Sequence, residues 1–430
     1  MKRKTTRTTK KTSGVKTQTK KKTTPKVEEP KDNEFMVSVS RLGLKKAVDM
    51  VSNALPGKEY NDAKSGIFME AKYVDDEPML FLTANSLNVF ITHGITLQDD
   101  IGEGFVVPNG KSFQKIVSGL QSLTNPIDLS FDEETNVFDI SCGTEYESNV
   151  QHYDSVGFVL PPTTEEIEQN EEVSMPVKFI IEALDKVAFA CSNDTSVPEL
   201  TGVLIEQTKD AINIVGADGN RVAYLSVKAK IKNPKKVIVG VKYLNLLNNI
   251  LKVLEVKPSD IITLYLSDDK IYFVSNNTTV GIQIFAGEYP IDGGYEQFVI
   301  DEDDCELSMV VDVSKFADKL DLAVLHNNSV LEPITMNISY DKNKKPIFKF
   351  TNTEMSSNKF SLSFKPDKFR NDSGETDIEI SFTPSYLYDV LKSVDTKQMV
   401  IGVQSIDGVA AIVRPVGMSD GDYCYTFSLN

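Results

Sequence analysis

The sequence predicts an α+β protein made of three repeats of one domain, each with antiparallel sheets and two helices. The first observation is an amphipathic helix pattern that recurs with a long period. Its three copies are Val39–Leu55, Val177–Ser192 and Val313–His326. Positions 42, 178 and 313 are equivalent, so the spacing is 136 and then 135 residues. Because solenoid repeats are shorter than about 50 residues, this period indicates whole domains.

The second observation is a further amphipathic helix in each copy, accompanied by alternating segments. These second helices are predicted at Lys111–Leu120, Val241–Leu254 and Pro384–Val394. Period-two strands are predicted at Gly66–Val74, Leu80–Ala84, Val89–His93, Gly202–Gln207, Ala211–Val215 and Ile347–Thr351. Turn signals such as Asp75-Asp76 separate the strands. In the first helix, Leu44, Val48 and Val51 share the face that is expected to pack on a sheet.

The three predicted domains span residues 35–163, 172–298 and 305–430, and a basic tail, residues 1–34, precedes them. The tail contains twelve Lys or Arg and four acidic residues, with little apolar surface to bury, so it is expected to be disordered. One interpretation is a non-specific nucleic-acid arm, since clustered cations release counterions from phosphate. The other is a solubilising leader, with the folded protein beginning near Met36.

The sequence lacks the motifs of common catalytic and cofactor sites. It has no GxxxxGK[ST] loop, no HExxH, no GxSxG and no metal-spaced set of Cys and His. The histidines His93, His152 and His326 lie far apart. The acidic run Asp301–Asp304 could bind magnesium, as in a nuclease, but its position between two repeats favours a solvated linker. The sequence therefore predicts a protein that acts by binding and is not an enzyme, with no cofactor and no metal.

Cysteine usage and hydropathy predict a cytoplasmic protein with no membrane partner. The four cysteines, Cys142, Cys191, Cys305 and Cys424, are scattered, which is typical of reduced thiols. No apolar run approaches the roughly 18 residues of a membrane span, and the N-terminus has no apolar signal segment.

Charge is distributed unevenly between the predicted helices and the rest of the chain. Residues 35–430 carry 34 basic and 58 acidic side chains, a net charge of −24, whereas the six helices carry twelve basic and six acidic residues. A positive helical layer in an acidic protein indicates a polyanion, contacted at phosphate because base-reading side chains are few. For any single helix, an ordinary solvated face is the alternative. The predicted DNA-binding residues are Arg41, Lys45, Lys111, Lys115, Lys178, Lys242, Lys252, Lys315, Lys319 and Lys392.

One stretch carries a family pattern. Residues 184–226 contain a helix, a polar loop, a Leu-Thr-Gly turn and a strand that ends in ADGNRVA, residues 217–223. A strand, a helix, a hairpin and the sequence IQIFAGEYP follow in that order. This arrangement resembles the middle domain of the bacterial DNA polymerase III β sliding clamp family. The likeness extends over about residues 35–430 and is weakest in the first repeat.

The resemblance implies a head-to-tail homodimer that closes into a ring, with helices lining the hole and sheets on the rim. Such rings encircle double-stranded DNA without reading its sequence and tether a DNA polymerase. An ATP-dependent clamp loader opens them. The divergence from bacterial members makes a virus-encoded clamp one interpretation. A clamp-fold adaptor that recruits transcription or repair proteins is the alternative function.

The resemblance also implies two sets of site residues. The wall of a hydrophobic peptide pocket would be formed by Leu200, Ala217, Gly219, Val222, Pro290, Tyr386, Tyr425 and Phe427. The dimer interface would include Tyr146, Val324 and Leu325. Two departures from the family concern the pocket: the chain ends in YCYTFSLN, and Thr383 stands where asparagine is typical. Another departure is the acidic loop 191–199, where family members often carry aromatic or basic contacts to DNA.

Overall fold

The computed structural model describes residues 34–430 except 232–233, 256, 258, 276, 286, 326–331, 353–359 and 418–421. The side chains of residues 173, 175–176, 178–180, 182–183 and 275 are also outside the described part. Apart from Glu34, the predicted basic tail lies outside the described residues, and so does His326.

The first domain contains two antiparallel sheets and two helices. Its elements are β1 Met36–Val39, α1 Arg41–Ser52, β2 Phe68–Val74, β3 Glu77–Asn85, β4 Val89–Thr96, β5 Gly104–Pro108, α2 Gly110–Gly119, β6 Ile127–Asp132, β7 Val137–Cys142, β8 Tyr146–Val150 and β9 His152–Tyr153. One sheet has the order β1-β6-β7-β8. The other has the order β9-β5-β2-β3-β4.

The second domain repeats this layout after a one-turn helix in the linker. Its elements are α3 Thr164–Ile167, β10 Glu171–Pro176, α4 Val177–Val187, β11 Gly202–Gln207, β12 Ala211–Ala217, β13 Arg221–Lys228, β14 Lys236–Gly240, α5 Val241–Val253, β15 Ile261–Leu266, β16 Lys270–Ser275 and β17 Thr278–Phe285. The sheet orders are β10-β15-β16-β17 and β14-β11-β12-β13.

The third domain repeats the layout once more. Its elements are β18 Leu307–Asp312, α6 Val313–Val324, β19 Ile334–Tyr340, β20 Pro346–Asn352, β21 Ser361–Phe364, β22 Lys368–Asn371, β23 Ile378–Phe382, α7 Pro384–Ser393, β24 Gln398–Val403, β25 Ala410–Pro415 and β26 Asp422–Ser428. The sheet orders are β21-β20-β19-β23 and β22-β18-β24-β25-β26. The predicted α+β fold with two helices per repeat is confirmed, and the domain boundaries stay a prediction.

Local sequence explains where several helices begin. Ser40 Oγ accepts a hydrogen bond from the Gly43 N–H at 3.1 Å at the start of α1. Asp312 accepts one from the Lys315 N–H at 3.0 Å at the start of α6. Such side-chain oxygens satisfy N–H groups that have no partner inside the helix. The predicted sheet-facing residue Leu44 of α1 is fully buried, as are Val48 and Val51.

The domains join edge to edge through strand pairing. At the junction that we call 1–2, β4 pairs antiparallel with β17, and Ile91 lies opposite Val280. At junction 2–3, β13 pairs antiparallel with β26, and Tyr224 lies opposite Cys424. Helices meet at the same places, since α1 contacts α5 and α4 contacts α7. Each junction therefore continues a sheet from one domain into the next.

Candidate functional site

A cavity of about 410 Å³ lies where domains 2 and 3 meet. It is lined by Leu200, Ala217, Gly219, Asn220, Arg221, Val222, Pro290, Ile291, Asp292, Gln297, Phe298, Val409, Ala410, Thr426, Phe427 and Ser428. Its size and apolar character are typical of a site that binds a short ligand segment. The structure thus brings together six of the predicted pocket residues, from Leu200 through Pro290 to Phe427.

The domain 2 wall is built by a tight turn and by the linker to domain 3. Gly219 has a φ of +93° in the turn between β12 and β13, a conformation that favours glycine. The linker is anchored by Tyr289, whose hydroxyl accepts from the Ala217 N–H at 2.9 Å and donates to the Gly202 carbonyl at 3.3 Å. Burial raises the pKa of Tyr289, so the hydroxyl keeps the proton that it donates. These bonds hold Pro290 at the cavity.

Arg221 connects this wall to domain 3. Its Nε donates to Asp218 at 2.8 Å, its Nη1 to Asp389 of α7 at 2.6 Å and its Nη2 to the Phe189 carbonyl at 2.9 Å. The guanidinium also lies 5.7 Å from the ring centre of Phe189 and 5.2 Å from that of Tyr386. Planar guanidinium suits such combined hydrogen bonding and stacking. The arginine of the ADGNRVA pattern therefore links domain 2 to domain 3.

Two predicted pocket residues do not line the cavity. Tyr425 is fully buried, and its ring lies 5.8 Å from Phe427 and 5.5 Å from Phe189. Tyr386 is half-buried against Arg221. The Tyr425 ring thus packs against Phe189 and Phe427, and the Tyr386 ring packs against the Arg221 guanidinium.

Sequence reasoning missed several lining residues, chiefly Ile291, Asp292, Phe298, Val409 and Ala410. A signal existed for two of them. Ile291 and Asp292 directly follow the predicted residue Pro290 in the chain. Of the other apolar residues, Phe298 reaches the cavity from the linker. Val409 and Ala410 reach it from the start of β25, which lies beside β26.

The predicted DNA-binding side chains fall into two groups. Several already have partners: Arg41 donates to the Gln121 carbonyl at 2.8 Å, Lys45 pairs with Asp49, and Lys392 lies 4.3 Å from the Tyr388 ring centre. Others are exposed or half-exposed and form no ion pair with a described residue: Lys111, Lys115, Lys252, Lys315 and Lys319. Lys242 is exposed and lies 5.7 Å from the Tyr243 ring centre. The side chain of Lys178 lies outside the described part.

The predicted interface residues lie at two strand edges. Tyr146 is half-buried at the start of β8, and β8 pairs only with β7 among the described strands. In domain 3, β21 pairs only with β20 within the same described set. Near it, at the end of α6, Val324 is half-buried and Leu325 is 75% exposed.

Among the residues that the structure describes, no group of three or more His, Cys, Asp or Glu side chains is arranged to hold a metal ion. None of the helices in that part of the chain is long and apolar enough to cross a membrane.

Similarity to known proteins identifies the family. Residues 35–155 match the N-terminal domain of the DNA polymerase III beta subunit, and residues 174–291 match its central domain. Together these matches cover more than half of the chain. The chain therefore belongs to the DNA polymerase III beta subunit family.

Relatives and solved structures agree with this assignment. The chain is 25% identical to the "Beta sliding clamp" of Synechocystis over 271 residues. The aligned region covers 60% of this chain and 66% of that protein. It is 22% identical to the "Beta sliding clamp" of Staphylococcus aureus over 373 residues. That alignment covers 82% of this chain and 91% of the relative. The beta subunit of Pseudomonas aeruginosa superposes with a TM-score of 0.77 at 19% identity, covering 92% and 99% of the chains. The Bacillus subtilis sliding clamp gives 0.77 at 17% identity, covering 93% and 99%.

Proposed function

We propose that this DNA sliding clamp encircles duplex DNA as a head-to-tail dimer and tethers its partners through the cavity between domains 2 and 3. The observation that carries the proposal is that β8 and β21 each have one edge without a partner among the described strands. Junctions 1–2 and 2–3 join β4 to β17 and β13 to β26. By position in the repeats, β21 corresponds to β4 and β13, and β8 corresponds to β17 and β26. A second copy that pairs its β8 with this β21, and its β21 with this β8, closes a ring of six domains.

Burial along the first helix of each repeat supports the same closure. The helices α1 and α6 begin at Arg41 and Val313, so the predicted equivalence of residues 42 and 313 is wrong by one residue. In the corrected alignment the buried Leu44 corresponds to Phe316, and Met50 corresponds to Leu322. Met50 is 2% exposed in α1, the helix that contacts α5 of the next domain, whereas Leu322 is 47% exposed. Together with Leu325, it leaves apolar surface at the end of domain 3 that a partner's domain 1 would cover.

Introducing charge on this apolar surface tests the ring. Val324→Asp with Leu325→Asp places two carboxylates in the proposed interface, and we expect the dimer to dissociate to monomers at micromolar concentration. Sedimentation velocity measures the change. The control is Leu87→Asp, a 93% exposed leucine in domain 1 and away from both edges, which should leave the dimer intact. A double variant with unchanged dimer mass would contradict the proposed interface.

The exposed lysines of the helices would face the DNA in the ring. Weak, sequence-independent contact with phosphate lets a ring slide, and the acidic remainder of the chain disfavours DNA outside the hole. We expect Lys242→Glu with Lys252→Glu to lower retention on closed circular DNA roughly three- to tenfold. The matched control is Lys209→Glu with Lys228→Glu, two exposed lysines of the same domain outside the helices. If both variants are retained equally on DNA, Lys242 and Lys252 do not contribute to DNA binding.

The partners are a DNA polymerase and an ATP-dependent loader, and the clamp itself does not catalyse a reaction. The linker acids support a structural role, because Asp301 pairs with Arg414 at 3.1 Å and Glu302 accepts from Ser308 at 2.5 Å. A ring raises the effective concentration of a tethered polymerase at its template. Primer extension on a circular template, with and without the protein, tests this function. Product length that does not depend on the protein would favour the adaptor function.

A further inference from the structure

Among the described residues, Arg221 is the only cationic side chain that lines the cavity, and its donors are already engaged. Arg221 uses its Nε, Nη1 and Nη2 on Asp218, Asp389 and the Phe189 carbonyl. Its side chain is only 12% exposed. Two carboxylates therefore balance its charge, and none of these bonds is directed at a ligand in the cavity. An incoming carboxylate therefore finds no free cation among the described residues of this wall.

The loops around the cavity are acidic instead. The linker residues 287–304 supply Pro290, Ile291 and Phe298 to the wall and contain seven acidic residues and no Lys or Arg. Two of these acids have cationic partners outside the linker, because Asp301 pairs with Arg414 and Glu288 with Lys236. Loop 192–199 adds two acids and loop 404–409 adds one, again without a basic residue. Asp292 lines the cavity itself, is exposed, and forms no ion pair with a described residue. Glu296 is also exposed, four residues further along the linker.

We propose that the cavity selects linear peptides in which an apolar anchor is flanked by lysine or arginine, and disfavours anchors flanked by aspartate or glutamate. The inference rests on the proposed function, in which the cavity binds peptides. The apolar lining recognises the anchor. The acidic rim attracts a basic flank and repels an acidic one, since like charges at an interface disfavour the wrong partner.

The experiment compares two fluorescein-labelled peptides on the full chain by fluorescence polarisation. Both contain the same Leu-Leu-Phe anchor, flanked by lysines in one and by glutamates in the other. We expect the lysine peptide to bind roughly tenfold tighter at about 50 mM salt, and this advantage to shrink as salt shortens the range of the rim charges. A glutamate peptide that binds as tightly or more tightly would overturn the inference.

Variants show which charges and which surface are responsible. Asp292→Asn with Glu296→Gln should reduce the advantage of the lysine peptide several-fold. The control, Asp99→Asn with Asp100→Asn, removes two exposed charges from domain 1 and should not change it. An equal reduction by both pairs would mean that net charge, and not the rim, sets the preference, and would overturn the inference.

A second pair of variants separates this inference from the proposed function. Ile291→Ala with Val409→Ala trims apolar side chains at the cavity without changing its charge, and should weaken both peptides. If neither peptide binds the wild-type chain, or if this variant binds both unchanged, the cavity is not the peptide site and the proposed tethering fails as well. If both peptides lose affinity but show no charge preference, only the inference on the flanks fails.

Discussion

Junctions 1–2 and 2–3 have the same arrangement of strands but different side chains. In both, an antiparallel strand pair joins the domains, and a linker isoleucine packs over the pair. Ile167 clusters with Phe90 and Tyr272 at junction 1–2. Ile300 clusters with Ile412 and Cys424 at junction 2–3. The 410 Å³ cavity lies at junction 2–3.

Side-chain size at equivalent positions explains the cavity. The β3–β4 hairpin closes at the pair Asn85 and Phe90, and the β12–β13 hairpin closes at Ala217 and Val222, with four residues between the partners in each. Phe90 therefore stands where domain 2 has Val222, and a leucine, residue 87, stands where domain 2 has Gly219. With the same hairpin geometry, the smaller side chains of domain 2 therefore leave room for a ligand.

The polar contacts differ as well. The buried Arg221 side chain holds junction 2–3 together. Junction 1–2 has scattered contacts: His93 Nδ1 lies 2.8 Å from Thr278 Oγ1, and Asn88 donates to the Tyr243 hydroxyl at 2.7 Å. Because Arg221 also borders the cavity, the junction with the buried ion pair is the one that holds the proposed peptide site.

The largest expected effect comes from removing the Arg221 side chain that links domains 2 and 3. Arg221→Ala eliminates three hydrogen bonds and leaves Asp218, 17% exposed, without its cation. Breaking a buried ion pair is strongly destabilising, and we expect a loss of about 3 kcal/mol in the free energy of unfolding. Differential scanning calorimetry measures it as a lower unfolding temperature.

The control for the Arg221 variant is an exposed ion pair. Lys72→Ala removes the partner of Glu70 on domain 1, where both side chains are more than a third exposed. Exposed pairs contribute at most about 1 kcal/mol, so this variant should unfold close to the wild-type temperature. Equal losses in the two variants would mean that Arg221 acts as a surface residue, contrary to its buried geometry.

The fold followed from the sequence because burial along a helix or strand is a local property. The spacing of Leu44, Val48 and Val51 is enough to show which side of α1 packs on the sheet. The cavity depended on contacts that no local pattern contains. Phe427 borders the cavity while Tyr425, two residues earlier in β26, is enclosed, because Phe189 and Phe427 pack against the Tyr425 ring.

The second prediction tests the size argument at junction 1–2. Phe90→Val introduces the side chain that domain 2 has at the equivalent position. Phe90 is 6% exposed and lies 6.1 Å from the Tyr272 ring centre, so its truncation leaves a void that costs about 2 kcal/mol. Thermal unfolding measures the loss. The control is Leu87→Val, which trims a 93% exposed side chain of the same turn and should change stability by less than about 0.5 kcal/mol.

The smallest expected effect is a pH dependence at junction 1–2. Burial, and then the charge of Lys46, lower the pKa of His93 from its ordinary 6.5. The unfolded chain thus binds a proton near pH 6.5 that the folded chain accepts only at lower pH, so the folded state loses stability as the pH falls below 6.5. We expect His93→Gln to flatten the decline in unfolding temperature between about pH 7.5 and about pH 5.5. His152→Gln, which changes a histidine bonded to Asn136 within domain 1, serves as the control and should leave the wild-type slope. If the His93 variant keeps that slope too, proton binding at junction 1–2 does not contribute to the acid sensitivity of the protein.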